Sequence, residues 1–71
     1  SHNGIDIFND ALASFEILNV GGIIIFDDIT NIYKEIEMQP HNAFEKFYSL
    51  YKKKIKILYL KNIAVIKKTN F

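Results

Sequence analysis

Apolar and polar positions alternate along this chain with two periods. From residue 3 to about 19, Ile7, Phe8, Ala11, Leu12, Phe15 and Leu18 recur at spacings of three and four, while Asn9, Asp10, Ser14 and Glu16 fill the other side. That is the stripe of an amphipathic helix. Asn3 suits its N-cap and Asp6 its first turn, and Asn19 or Gly21 can take the left-handed conformation that ends a helix. Phe8 and Phe15 lie at helical spacing, which assigns them to a core stripe rather than to a ligand-stacking pair.

Gly21-Gly22-Ile23-Ile24-Ile25-Phe26-Asp27-Asp28 breaks the helical period: two glycines, four apolar residues, then two carboxylates. A continuous apolar run between turn signals predicts a strand over 22–27. It is expected to be buried on both faces at the centre of a sheet, as inside a parallel sheet flanked by helices. Residues 28–39 have no clean period and read as a loop. Tyr33 within it is expected to be a partly buried loop tyrosine, with lining of a substrate pocket as the other reading. Pro40 fits the first position of a second helix, over 40–53, with Ala43, Phe44, Phe47, Leu50 and Tyr51 as its apolar stripe. Lys52, Lys53 and Lys54 then complement the negative end of its dipole. Two β-prone runs close the chain, over 55–60 and 63–68. Lys61-Asn62 between them reads as a two-residue hairpin turn in which Asn takes a positive φ.

Composition narrows the picture. With 71 residues, 49% hydrophobic and 24% charged, the chain has the make-up of one small globular unit and not of a disordered tail. The absence of cysteine excludes disulfides and thiolate metal sites and is compatible with a reducing, cytoplasmic setting. No segment approaches the roughly 18 apolar residues of a membrane span, and no signal-peptide pattern opens the chain. All eight acids lie at or before Glu45, and eight of the nine basic residues follow it. Such sorting can mark a nucleic-acid patch, but every basic residue is lysine, and the lack of arginine counts against a reader of bases.

The candidate chemistry sits at the end of the first strand. In open α/β sheets ligands bind outside the carboxyl ends of the strands, where Asp27 and Asp28 would stand. The alternative for this pair is local: aspartate commonly caps the turn where a strand breaks. Histidine as a residue type is suited to proton transfer, so His2 is a candidate base or substrate-orienting group, with a disordered terminal residue as the alternative. His41, at the start of a helix, reads as a surface residue.

Taken in order, Ser1-His2, the first helix, Leu18-Asn19-Val20-Gly21-Gly22 with its apolar strand and Asp27-Asp28, then Pro40, Ala43 and Phe44, and last Leu58-Tyr59 through Ala64-Val65-Ile66-Lys67-Lys68 resemble the C-terminal part of a class I S-adenosylmethionine-dependent methyltransferase. The group is the one that reads Asp-Gly-Ser-His before this helix and Gly-Gly, an apolar strand and Asp-Asp after it, similar to methyltransferase domain family 24. Val20 in place of the usual proline and Asn62 where glycine is common are mild departures. The resemblance implies the C-terminal portion of a Rossmann-like α/β sheet. The 22–27 strand would be its fifth, and the closing hairpin its sixth and seventh, with the seventh antiparallel between the other two. It also implies that the first four strands, the glycine-rich cofactor loop and the acidic residue for the ribose lie outside these 71 residues. A start at Ser1 rather than methionine fits that expectation of a fragment.

By this resemblance the whole protein would be a transferase moving a methyl group from S-adenosylmethionine to an oxygen of a small molecule or sugar. Asp27 and Asp28 would hold Mg²⁺, with Asp28 and His2 as catalytic groups, and the fragment alone would be inactive. The missing N-terminal half of the domain would be its partner. The other reading is a self-contained small α/β binding module, since architecture alone does not establish function.

Overall fold

The computed structural model describes residues 3–71. The chain forms α1 (Gly4–Ile17), β1 (Ile23–Phe26), α2 (Pro40–Tyr51), β2 (Ile55–Leu60) and β3 (Ala64–Lys68). The fold is mixed α/β: both helices pack on one face of a three-stranded sheet, and no helix among the described residues is long and apolar enough to cross a membrane. All five expected elements are present, in the expected order.

The strand order is β1-β3-β2, with β3 antiparallel to both neighbours. Side chains alternate across the sheet. Ile24, Ile66 and Ile57 therefore share one row under the helices, while Ile25, Val65 and Tyr59 share a row on the opposite face. A bulge between Ile57 and Tyr59 displaces Leu58 from the ladder.

This arrangement corrects the expectation for the first strand. Among the described residues β1 is an edge of the sheet and not its centre, it pairs only antiparallel, and it is covered on one face alone. Phe26 is buried, whereas Ile23 and Ile25 are 43% and 61% exposed. The apolar run signalled burial correctly for alternate residues only, because both helices lie on the same side.

The core is aromatic. Phe47, fully buried, meets Phe15 edge-on at 5.6 Å, Phe26 at 5.1 Å and Tyr51 at 5.0 Å between ring centroids. Phe15 stacks on Tyr51 at 4.2 Å, and Phe26 meets Phe44 at 5.4 Å. Ala11, Ile29, Ile55, Ala64 and Ile66 fill the space between the rings. Leu50, assigned to the second stripe, is exposed instead, because α2 turns only its Ala43, Phe44 and Phe47 side fully inward.

Helix ends also differ from expectation. The Asn3 side chain does cap α1, accepting from the Ile5 N–H at 3.1 Å. At the other end α1 stops at Ile17 without a left-handed residue: Leu18 is extended, and the Lys68 ammonium donates to the carbonyls of Phe15 and Leu18 at 2.6 and 2.8 Å. A buried cation from the last strand thus satisfies carbonyls that a C-cap would otherwise serve. Gly21, at φ 93°, turns the chain into β1. In α2 the lysines at 52, 53 and 54 follow the last turn rather than occupy it.

The 27–39 connection folds back across the start of α1. The Gly4 N–H donates to the Met38 carbonyl at 2.7 Å, and a Cβ at Gly4 would come within 2.6 Å of the Gln39 carbonyl oxygen. The Gln39 amide accepts from the Tyr33 N–H and donates to the Tyr33 carbonyl, closing the loop on itself.

Candidate functional site

Asp27 and Asp28 leave the carboxyl end of β1 beside a pocket of about 350 Å³, which runs between the free edge of that strand and α1. Ile24 and Phe26 form its apolar wall, and Asp10 and Ser14 of α1 face it from the other side. The sequence pattern places Asp10 and Ser14 on the solvent side of the helix and so does not reveal them as pocket residues. Their signal is the four-residue spacing that puts them on one flank of the stripe, next to Ala11.

The two aspartates do not play equivalent parts. The Asp27 side chain accepts the Asp28 backbone N–H at 2.9 Å, which is the local turn-capping role. Asp28 itself has φ 53°, a left-handed conformation uncommon for a residue with a side chain. Its Oδ1 lies 3.4 Å from the Asn62 Nδ2, which donates to it. Each carboxylate oxygen has capacity to accept further bonds, so both side chains can still serve a ligand in the pocket.

The β2–β3 turn differs from the sequence reading. Leu60 pairs with Ala64, the Lys61 N–H donates to the Ile63 carbonyl at 2.9 Å, and Asn62 is not among the residues with positive φ. The turn is therefore three residues long, 61–63. Asn62 uses its side chain on the loop after β1 instead of using a left-handed backbone.

His2 lies outside the described residues. His41 is half-buried at the start of α2 rather than on the open surface. Tyr33 is half-buried in the loop, as expected, and is not among the pocket-lining residues.

For Mg²⁺ the donor set fits in part. Two carboxylates are the hard oxygen ligands such an ion takes, but no group of three or more His, Cys, Asp or Glu side chains placed to hold a metal occurs among the described residues. For S-adenosylmethionine the residues present do not form a cradle. Gly21 and Gly22 precede a strand rather than follow one, and their N–H groups are already spent on the carbonyls of Lys68 and Asn19, at 2.7 and 2.8 Å.

Comparison with protein-family models, with curated proteins and with solved structures finds no match to this chain.

Proposed function

We propose that this chain is the C-terminal part of an S-adenosylmethionine-dependent methyltransferase acting on an oxygen of a small molecule or sugar, and that it is inactive without the N-terminal part of its domain. The observation that carries the reading is the strand order. A last strand lying antiparallel between the two before it is the arrangement the resemblance implies for the fifth, seventh and sixth strands, and β1-β3-β2 has that form. The unpaired edge of β1 adds support. It presents Ile-Ile-Ile-Phe with no lysine, proline or bulge to discourage pairing, whereas the opposite edge, β2, carries Lys56 and a bulge. An unguarded apolar edge with half-exposed isoleucines on its outer face fits a strand that continues into a larger sheet.

In this reading Asp27 and Asp28 supply two oxygen ligands to Mg²⁺, and the remainder of the domain supplies another. The bound ion would lower the pKa of a substrate hydroxyl. The chain's own part is to present both carboxylates at the carboxyl end of β1, where they would meet that hydroxyl. His2 is the candidate to take the proton, and a cytoplasmic setting is compatible with the absence of cysteine.

The natural extent of the polypeptide tests the proposal. Mass spectrometry of the protein from its source, read with the DNA upstream of Ser1, is expected to show the chain continuing into a strand followed by a glycine-rich turn. A mature protein without that segment would overturn the reading. The 71-residue chain alone is expected to show no calorimetric binding of S-adenosylmethionine tighter than about 100 μM, or about −5.5 kcal/mol.

In the whole enzyme, Asp27→Asn or Asp28→Asn is expected to lower turnover by at least about tenfold with cofactor affinity nearly unchanged, and chelation should mimic either change. Full activity of the double variant in excess chelator would leave the pair with only its turn-capping role.

One observation favours a second reading, a self-contained α/β binding module. The residues present close an aromatic core of their own, and Asp27 caps the turn that follows it. The mature length of the protein separates the two.

A further inference from the structure

The turn between β2 and β3 and the loop after β1 are distant in the chain yet joined by one residue. Asn62 accepts the Ile29 N–H on its backbone carbonyl at 2.8 Å. Its side-chain Oδ1 accepts both the Thr30 N–H at 3.2 Å and the Thr30 hydroxyl at 2.5 Å, while its Nδ2 donates over a longer 3.4 Å to the Asp28 carboxylate. The planar amide is thereby held at both ends. Ile29 is buried, so the bond to its N–H is sheltered from water. Between these anchors Asp28 sits in the left-handed region, which aspartate tolerates better than most residues with a side chain. The turn itself does not call for asparagine, since Asn62 lacks the positive φ for which Asn is usually chosen.

We propose that Asn62 is a positioning residue for the acidic loop: its bonds to Asp28, Ile29 and Thr30 set the direction in which the Asp27 and Asp28 carboxylates leave the sheet. Its consequence for catalysis rests on the reading of that pair as metal ligands, and the two are separable. Asn62 is not among the residues that line the pocket. It fixes the loop from which the carboxylates project, so metal affinity depends on a residue of the neighbouring hairpin.

Amide hydrogen exchange followed by NMR on the 71-residue chain tests the positioning. Asn62→Gly keeps a turn-compatible residue and deletes the side-chain anchors. It is expected to speed exchange at the Thr30 amide by about tenfold and to shift the Asp28 and Thr30 resonances, with the β2–β3 ladder amides unchanged. Asn62→Asp retains the acceptor for Thr30 and should restore its protection. Should Asn62→Gly loosen the hairpin, Thr30→Val breaks the hydroxyl bond from the other side, and a shifted Asp28 resonance in that variant supports the positioning role equally. Unchanged Thr30 exchange in Asn62→Gly with an intact hairpin, or an unmoved Asp28 in Thr30→Val, would overturn the proposal.

Mn²⁺ alone, added to the same chain, separates this proposal from the metal reading. Broadening centred on Asp27 and Asp28 that needs about tenfold more Mn²⁺ in Asn62→Gly supports both. If the unsubstituted chain shows no such broadening, the two carboxylates do not hold the ion without the remainder of the domain, and Thr30 exchange alone decides the role of Asn62.

Discussion

Phe47→Ala is expected to lower the stability of this chain by about 3–5 kcal/mol, as removing a fully buried aromatic ring does. The ring has no exposed surface and contacts Phe15, Phe26 and Tyr51, so it joins both helices to the sheet. A cavity there cannot collapse easily, because its walls belong to three different elements. For 71 residues the total stability is on the order of 4–10 kcal/mol, so the variant should forfeit from about a third to all of it. Phe15→Ala should follow closely, since that ring is nearly as buried and bridges Phe47 and Tyr51. Urea denaturation provides the measurement, with Leu50→Ala as the control. Leu50 is 59% exposed, and its truncation should stay within about 0.5 kcal/mol. A loss below about 1 kcal/mol at Phe47 would mean that α2 presents a different side to the sheet.

The second large effect is expected at Lys68. Its side chain is 3% exposed, its ammonium bonds the Phe15 and Leu18 carbonyls, and it lies 4.4 Å from the centroid of the Phe15 ring. A cation at the C-terminal end of a helix meets the negative end of the macrodipole, and hydrogen bonds from a charged donor contribute about 1.5–3 kcal/mol. Lys68→Met keeps most of the apolar stem and removes the donor. It should cost about 2–3 kcal/mol and should speed amide exchange in the last turn of α1. Lys67→Met, one residue away on the exposed face, should change stability by no more than about 0.5 kcal/mol. Equal behaviour of the two variants would show that Lys68 does not hold the helix end.

The five elements were legible in the sequence because each is signalled by a local pattern of residue types, even where, as in β1, its partner strand lies about forty residues away. Ala11 and Phe15 fall on one side of a helix by spacing alone, Pro40 can only begin α2, and the isoleucines of β2 and β3 favour extended backbone whatever lies beyond them. The buried aromatics Phe15, Phe44 and Phe47 were identified on the same basis. The carboxylates at the end of β1 were legible too, as a place where a strand stops.

Tertiary structure decided what depends on distant partners. Composition could not show that β1 would be an edge, because an apolar strand reads the same whether a neighbour covers one face or both. Nor could it show that Lys68 caps a helix 53 residues earlier, or that Asn62 reaches the Thr30 hydroxyl 32 residues back. A lysine at the end of a strand and an asparagine in a turn each have an ordinary local explanation, and their local preferences are the same with or without the distant partner. Asp10 and Ser14 became pocket residues only when α1 was laid beside the free edge of β1. Local periodicity determined which residues would be helix, strand and core. The packing of those elements determined which polar side chains meet, because that depends on the three-dimensional path of the chain and not on the preference of any one residue.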